Sequence, residues 1–289
     1  MATLRDIKRR IKSVKSTQQI TKAMKMVSAA KLKRAQDDIT AARPYAQKMV
    51  ELITSLASKT SPESHALLSG TGGPNVGIIL VTSDRGLCGG FNATLLRTTE
   101  RFIREQNDSK ISLYLIGKRG IEYFKRRPFD IKKAVPTGSG RPSYAGAAEI
   151  AREVIGLYLK NELDEVHIIY SEFKSALTQK PVAQKLLPIA AQAREEAAGG
   201  QTPVEILYEP SVDDVLNGLL PKFIEVQVFR ALLESSASEY GARMTAMDSA
   251  SKNASEMIGS LTLMYNRIRQ AVITKELMEI IGGAEALKG

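Results

Sequence analysis

A glycine-rich turn between a strand and a helix can cradle phosphate. The segment Asp84-Arg85-Gly86-Leu87-Cys88-Gly89-Gly90-Phe91-Asn92 has that setting, with an apolar run before it and a helical pattern after it. Its spacing departs from both phosphate-binding signatures, G-x-x-x-x-G-K-[ST] and G-x-G-x-x-G. Glycines also serve tight turns that need left-handed backbone, and the residues favour that reading over a nucleotide cradle. Cys88, the only cysteine, stands just before a helix start, where a thiolate nucleophile is stabilised, but no histidine neighbours it in sequence to act as base. His65, His167 and Cys88 cannot supply a zinc set at the usual spacing. His167 sits inside an apolar run and reads as a core residue. The pairs Asp37-Asp38 and Asp213-Asp214 fall on helical patterns and read as solvated or capping rather than catalytic. No cofactor, metal or catalytic residue is therefore expected.

Charge is the more informative signal. Residues 1–48 hold thirteen Lys or Arg against Asp6, Asp37 and Asp38, which accounts for the whole chain's net charge of +10. A basic arm of this kind calls for an anionic partner: nucleic acid, a membrane surface or an acidic protein wall. The alternative is a solvated helix whose charges serve solubility. A single cysteine excludes an internal disulfide. No apolar run approaches the roughly 20 residues that span a bilayer, and no secretory signal is visible, so membrane association is expected to be indirect.

The elements that must carry these residues fall into three regions. Residues 1–58 read as one helix, running past Pro44. From Leu4, alternating steps of three and four meet an apolar residue at most positions up to Leu56, the pattern of a coiled-coil seam. The exceptions, Gln18, Thr21, Lys25 and Ser28, are consecutive. They predict that the seam changes face there, with Ile20, Met24 and Val27 carrying it. Residues 59–75, with Pro62, Gly70, Gly72, Gly73 and Pro74, read as a linker. Residues 76–210 alternate β-branched runs (76–82, 111–116, 166–170, 204–208) with helical stretches (92–106, 118–126, 144–160), which predicts an α/β layer. A loose loop is expected at 192–202. Residues 211–289 return to helix. Ser211 and Asp214 form a capping-box-like start, Gly218 and Pro221 are expected to break or bend the first turns, and a seam runs from Leu216 to Val272. The two terminal helices have matching seams, so they are expected to pair antiparallel. The fold class read from the sequence is α/β: a Rossmann-like central domain plus a long antiparallel coiled coil.

Four segments together resemble the gamma subunit family of F-type ATP synthases, of the bacterial type: Arg10–Val14 through Thr17–Met24 to Lys31-Leu32; Ser83–Asn92; Tyr208-Glu209-Pro210; and Ile273–Ala284. The resemblance covers the chain in order. It implies the same architecture and a non-catalytic rotor shaft. Three alpha and three beta subunits would ring the coiled coil, one copy of the chain serving each complex, with an epsilon subunit and the c-ring at the α/β domain. Ion flow through the c-ring would be coupled to ATP synthesis or hydrolysis at the cytoplasmic face of the bacterial inner membrane. Residue by residue, the resemblance implies beta-subunit contacts at Met24, Arg269, Gln270, Thr274, Glu276 and Glu279, and c-ring contacts at Tyr208 and Glu209. The dithiol insertion of chloroplast members is missing. The basic arm, with Lys8, Arg9, Lys12, Lys15, Lys22 and Lys25, would face acidic walls of the ring.

Two rivals remain at this stage. A nucleic-acid-binding coiled coil would show steeply salt-dependent DNA binding, but no aromatic residue precedes Tyr45 to stack on bases. An α/β enzyme using the glycine-rich loop would bind nucleotide in a manner lost on changing Gly89.

Overall fold

The structure is a computed structural model that describes residues 3–59, 65–70, 72–106, 109–138, 140–189 and 212–286. The expected loop at 192–202, the strand at 204–208, the Ser211 cap and the Tyr208-Glu209-Pro210 segment all lie outside the described residues. The chain divides into two compact units, one of Ser28–Arg243 and one combining Met1–Val27 with Met244–Gly289.

In the larger unit the element order is helix α1 (Leu4–Lys59), β1 (Asn75–Val81), α2 (Phe91–Glu105), β2 (Lys110–Ile116), α3 (Lys118–Phe124), β3 (Asp130–Val135), α4 (Tyr144–Leu159), β4 (Glu165–Phe173), β5 (Gln179–Leu187) and α5 (Val212–Ala286), the two long helices also running into the smaller unit. The sheet order is β3-β2-β1-β4-β5. The first four strands are parallel and β5 is antiparallel to β4. This is the Rossmann-like layer the alternating pattern predicts. β1, β2 and β4 are continuous apolar runs because helices cover both of their faces. Ile79, Val81, Tyr114, Ile116, Val166 and Ile168 pack with α4, with the seam residues Met49, Ile53, Leu56 and Phe223, and with Leu220. Ile78, Leu80, Leu113, Leu115 and Ile169 pack on the other face with Phe91, Leu95 and Phe124.

β3 and β5 were not foreseen. Both are edge strands, half solvated and rich in Lys, with no apolar run to announce them. Pro181 is tolerated in β5 because an edge strand can spare a donor. The turn from β2 into α3 depends on Gly117, whose φ is +100° and where a Cβ would lie 2.2 Å from the Thr82 carbonyl oxygen.

The terminal helices run antiparallel. In the larger unit Lys31 lies over the Tyr240 ring, while Ile39, Ala42 and Ala46 share a small cavity with Arg230, Leu233 and Glu234. Between Phe223 and Ser238 nearly every α5 residue is buried, because α1 and the α/β layer together enclose it. In the smaller unit α5 is covered on one side alone. Met247 and Ala254 are buried, Ile258, Leu261, Tyr265 and Ile268 are half-buried at seam spacing, and the residues between Ala254 and Ile268 that are off this stripe are exposed.

Two expectations are corrected. The α1 seam does not change face at its polar stretch: Thr21 and Ser28 are buried at the original positions, while Ile20 and Val27 are each 57% exposed. Small hydroxyl side chains can hold a seam position because they satisfy themselves locally, as Thr21 Oγ1 does by donating to the Gln18 carbonyl at 3.0 Å. Of the break or bend expected at Gly218 and Pro221, the break does not occur: α5 is helical throughout Val212–Ala286. Burial of Leu216, Leu220, Phe223 and Ile224 around them outweighs the lost hydrogen bond.

Candidate functional site

The carboxyl ends of the strands are where open α/β sheets bind ligands, and the glycine-rich segment lies there, after β1. Its polar groups are engaged with one another. Ser83 N donates to Asn92 Oδ1 at 3.0 Å and Ser83 Oγ to the Arg85 carbonyl at 2.7 Å. Asn92 Nδ2 reaches back to Ser83 Oγ at 2.8 Å. Asp84 accepts from Lys118 N, Thr137 N, Thr137 Oγ1 and Gly138 N at 2.9–3.0 Å. Burial opposes the charge on Asp84, but these hydrogen bonds prevail and lower its pKa. Leu87 and Gly89 take left-handed backbone, φ 62° and 57°. The segment is a turn bonded within itself and, through Asp84, to the start of α3 and to the residues after β3.

Helix α5 closes this edge. Arg243 donates to the carbonyls of Arg85 and Gly86 at 3.4 and 3.3 Å. Ser238 Oγ donates to the Ser171 carbonyl at 2.9 Å, and Phe173 N donates to Glu234 Oε2 at 2.9 Å. Glu239 accepts from Arg243 at 2.6 Å. Its pKa is raised by burial, against the pull of Arg243. Cys88 is buried, and burial pushes its thiol pKa up, away from what a nucleophile needs. His167 is buried, its ring tilted by 55° against Phe102 with centroids 4.7 Å apart, and paired with Glu165 at 3.1 Å. Among the described residues no cluster of His, Cys, Asp and Glu could hold a metal. No described helix is long and apolar enough to cross a membrane.

A second feature lies at the end of α5. From Ala271 to Ala284 every residue is exposed. The uncovered side chains include Val272, Ile273, Leu277, Met278, Ile280 and Ile281, with Met278 and Ile280 66% and 68% exposed. Antiparallel pairing explains why. Lys25 meets Asp248 at 2.5 Å, so one-for-one pairing reaches the start of α1 near Arg269, and α5 continues beyond it. Of the sequence-derived contact residues, Thr274, Glu276 and Glu279 sit on this stretch and Arg269 and Gln270 just before it, all exposed. Met24 is half-buried on α1 and is not brought to them. Lys8, Arg9, Lys12, Lys15 and Lys22 are exposed along α1.

Sequence reasoning missed the charged residues that bind α5 to the α/β layer, Glu225, Glu234 and Arg243, and Glu239, which pairs with Arg243. Their signal was present. They are charges set in a helical stretch otherwise composed almost wholly of apolar and small residues, where each needs a partner to be buried.

Residues 3–287 match the family model described as ATP synthase. The chain is 53% identical over 291 residues to the ATP synthase gamma chain of Trichlorobacter lovleyi and 49% identical over 288 residues to that of Moorella thermoacetica, with all of each chain covered. Among solved structures it resembles a chain of the central stalk and c-ring structure of Tetrahymena thermophila mitochondrial ATP synthase, at 32% identity and TM-score 0.62, over 80% of this chain and 99% of that one. A chain of the Euglena gracilis mitochondrial ATP synthase shares the fold at 22% identity and TM-score 0.70, over 98% of this chain and 94% of that one. The chain belongs to the ATP synthase gamma chain family.

Proposed function

We propose that this chain is the central rotor shaft of an F-type ATP synthase and carries no active site of its own. Ion flow turns a c-ring, the α/β layer turns with it, and the helix pair turns inside a ring of three alpha and three beta subunits. Each beta subunit then meets a different face of the asymmetric shaft. Differential contact biases it toward one of its conformations, a population shift set by contact energy. The observation that carries this reading is the uncovered apolar end of α5, residues 272–281, a patch that calls for a protein surround. Full-length kinship with gamma chains supports it. The closing of the sheet's carboxyl edge by α5 supports the assignment of no catalysis to this chain.

In this reading Arg269, Gln270, Thr274, Glu276 and Glu279, with Met24 on the partner helix, contact beta subunits. Tyr208 and Glu209 contact the c-ring. An epsilon subunit joins the α/β domain. The working division is a helix over 1–58, a linker over 59–75, an α/β domain over 76–210 and a helix over 211–289. The complex would lie at the cytoplasmic face of a bacterial inner membrane, this subunit being peripheral, and the exposed lysines and arginines of α1 would face acidic walls. The test is reconstitution with alpha and beta subunits, with and without residues 270–289. One copy co-purifying with three alpha–beta pairs, and weaker coupling on truncation, is the expected result. A chain that neither assembles with them nor alters their turnover would overturn the reading.

A further inference from the structure

Torque can pass from the α/β layer to α5 only if the helix cannot roll in its seat. Apolar packing resists rolling weakly, because one apolar ridge can replace another with little change in buried area. Directional bonds between groups that cannot be left unpaired resist it strongly. Two carboxylates on α5 are buried, Glu225 at 5% exposure and Glu234 at 4%. Glu225 Oε1 accepts from Arg152 Nε and Glu225 Oε2 from the Tyr144 hydroxyl, each at 2.7 Å, both donors lying on α4. Glu234 Oε2 accepts from the backbone of Phe173 at the end of β4, at 2.9 Å. The two positions are nine residues apart, which places them about 14 Å apart along the helix and about 180° around it. The layer therefore holds α5 on opposite sides at two heights, an arrangement that resists rotation about the helix axis in either sense. Rolling would strip both buried charges of their partners at once.

Resting on the rotor reading above, we infer that Glu225 and Glu234 are positioning residues that transmit torque between the α/β layer and the C-terminal helix. The test uses the chain assembled with alpha and beta subunits, the ring fixed to a surface and a bead attached to the α/β layer through Leu177→Cys, a site 79% exposed on the β4–β5 turn. The angular variance of the bead is read while the catalytic ring is paused. Glu225→Ala with Glu234→Ala is expected to raise that variance about twofold, since both directional anchors are lost. Tyr158→Phe, which removes a hydrogen bond to the Ser69 carbonyl elsewhere in the same unit, is expected to leave it unchanged. If the double alanine variant fails to assemble, Glu225→Gln with Glu234→Gln keeps the volume and removes the charge, and a smaller rise is expected. Variance equal to the parent's or to that of the Tyr158→Phe control, in whichever variant assembles, overturns this inference alone. A parent chain that does not assemble or rotate overturns the rotor reading and this inference with it.

Discussion

Lys25 Nζ lies 2.5 Å from Asp248 Oδ1, joining the two antiparallel helices at a position where the α1 seam holds a charge instead of an apolar residue. The Asp248 carboxyl is held below its usual value by hydrogen bonds from Lys25 and Lys252. A carboxylate depressed in the fold stabilises it above the unfolded pKa, and that contribution is lost as pH falls through the folded value. Asp248→Asn is therefore expected to lower the melting temperature at neutral pH. The difference should shrink below the ordinary value of 3.8 and at high salt. Circular-dichroism melts of the two chains would check this, and identical melts at neutral pH would refute it.

Ile7 and Ile20 have the same side chain on the same helix, but Ile7 is 2% exposed and Ile20 57%. Ile7→Ala is expected to cost about 2–4 kcal/mol through lost burial and a residual cavity. Ile20→Ala should stay within about 0.5 kcal/mol in the isolated chain. Urea unfolding of both variants tests the corrected seam, and equal costs would contradict it.

The Tyr114 hydroxyl is buried in the sheet core with no hydrogen-bond partner among the described residues. Burial first, then the nearby Glu153, pushes its pKa up to about 12, so it is neutral at any physiological pH. Tyr114→Phe removes the unpaired group and little else, and is expected to stabilise the chain by about 1 kcal/mol. A loss of stability in denaturant titration would show that the hydroxyl is paired in solution.

His167 has its pKa lowered by burial, against the opposing pull of Glu165. The folded chain therefore takes up this proton less readily than the unfolded chain, which protonates near 6.5. The sign follows: stability is unaffected above that value and falls as pH drops through it toward the lower folded pKa. His65 is shifted the same way by burial and adds to the slope. His167→Gln is expected to flatten part of the stability decline between neutral and mildly acidic pH, measured by denaturant midpoints. An unchanged slope would assign the decline elsewhere.

Residues 272–284 are all exposed, so removing residues 272–289 should leave the melting of the isolated chain nearly unchanged. The same truncation should weaken coupling in the assembled enzyme. A marked drop in the isolated chain's stability would mean that this stretch is covered by the chain itself in solution.

Periodicity and the alternation of apolar runs with helical stretches determined, by themselves, that two long seamed helices flank an α/β layer. Continuous burial writes itself into residue type, so β1, β2 and β4 could be read directly. Edge strands β3 and β5 could not, because solvent on one side lets Lys and Pro into them. The glycine-rich turn was legible from its mismatch to phosphate-binding spacing. Tertiary structure alone decided that Thr21 and Ser28 keep the seam while Ile20 faces outward, since burial of a small hydroxyl depends on what lies opposite. It also decided that α5 seals the sheet's carboxyl edge through Glu234, Ser238 and Arg243, and that Glu225 and Glu234 hold the helix from opposite sides. Those partners lie between about 60 and 160 residues apart in sequence, and only the folded chain brings a buried charge to the donor that satisfies it.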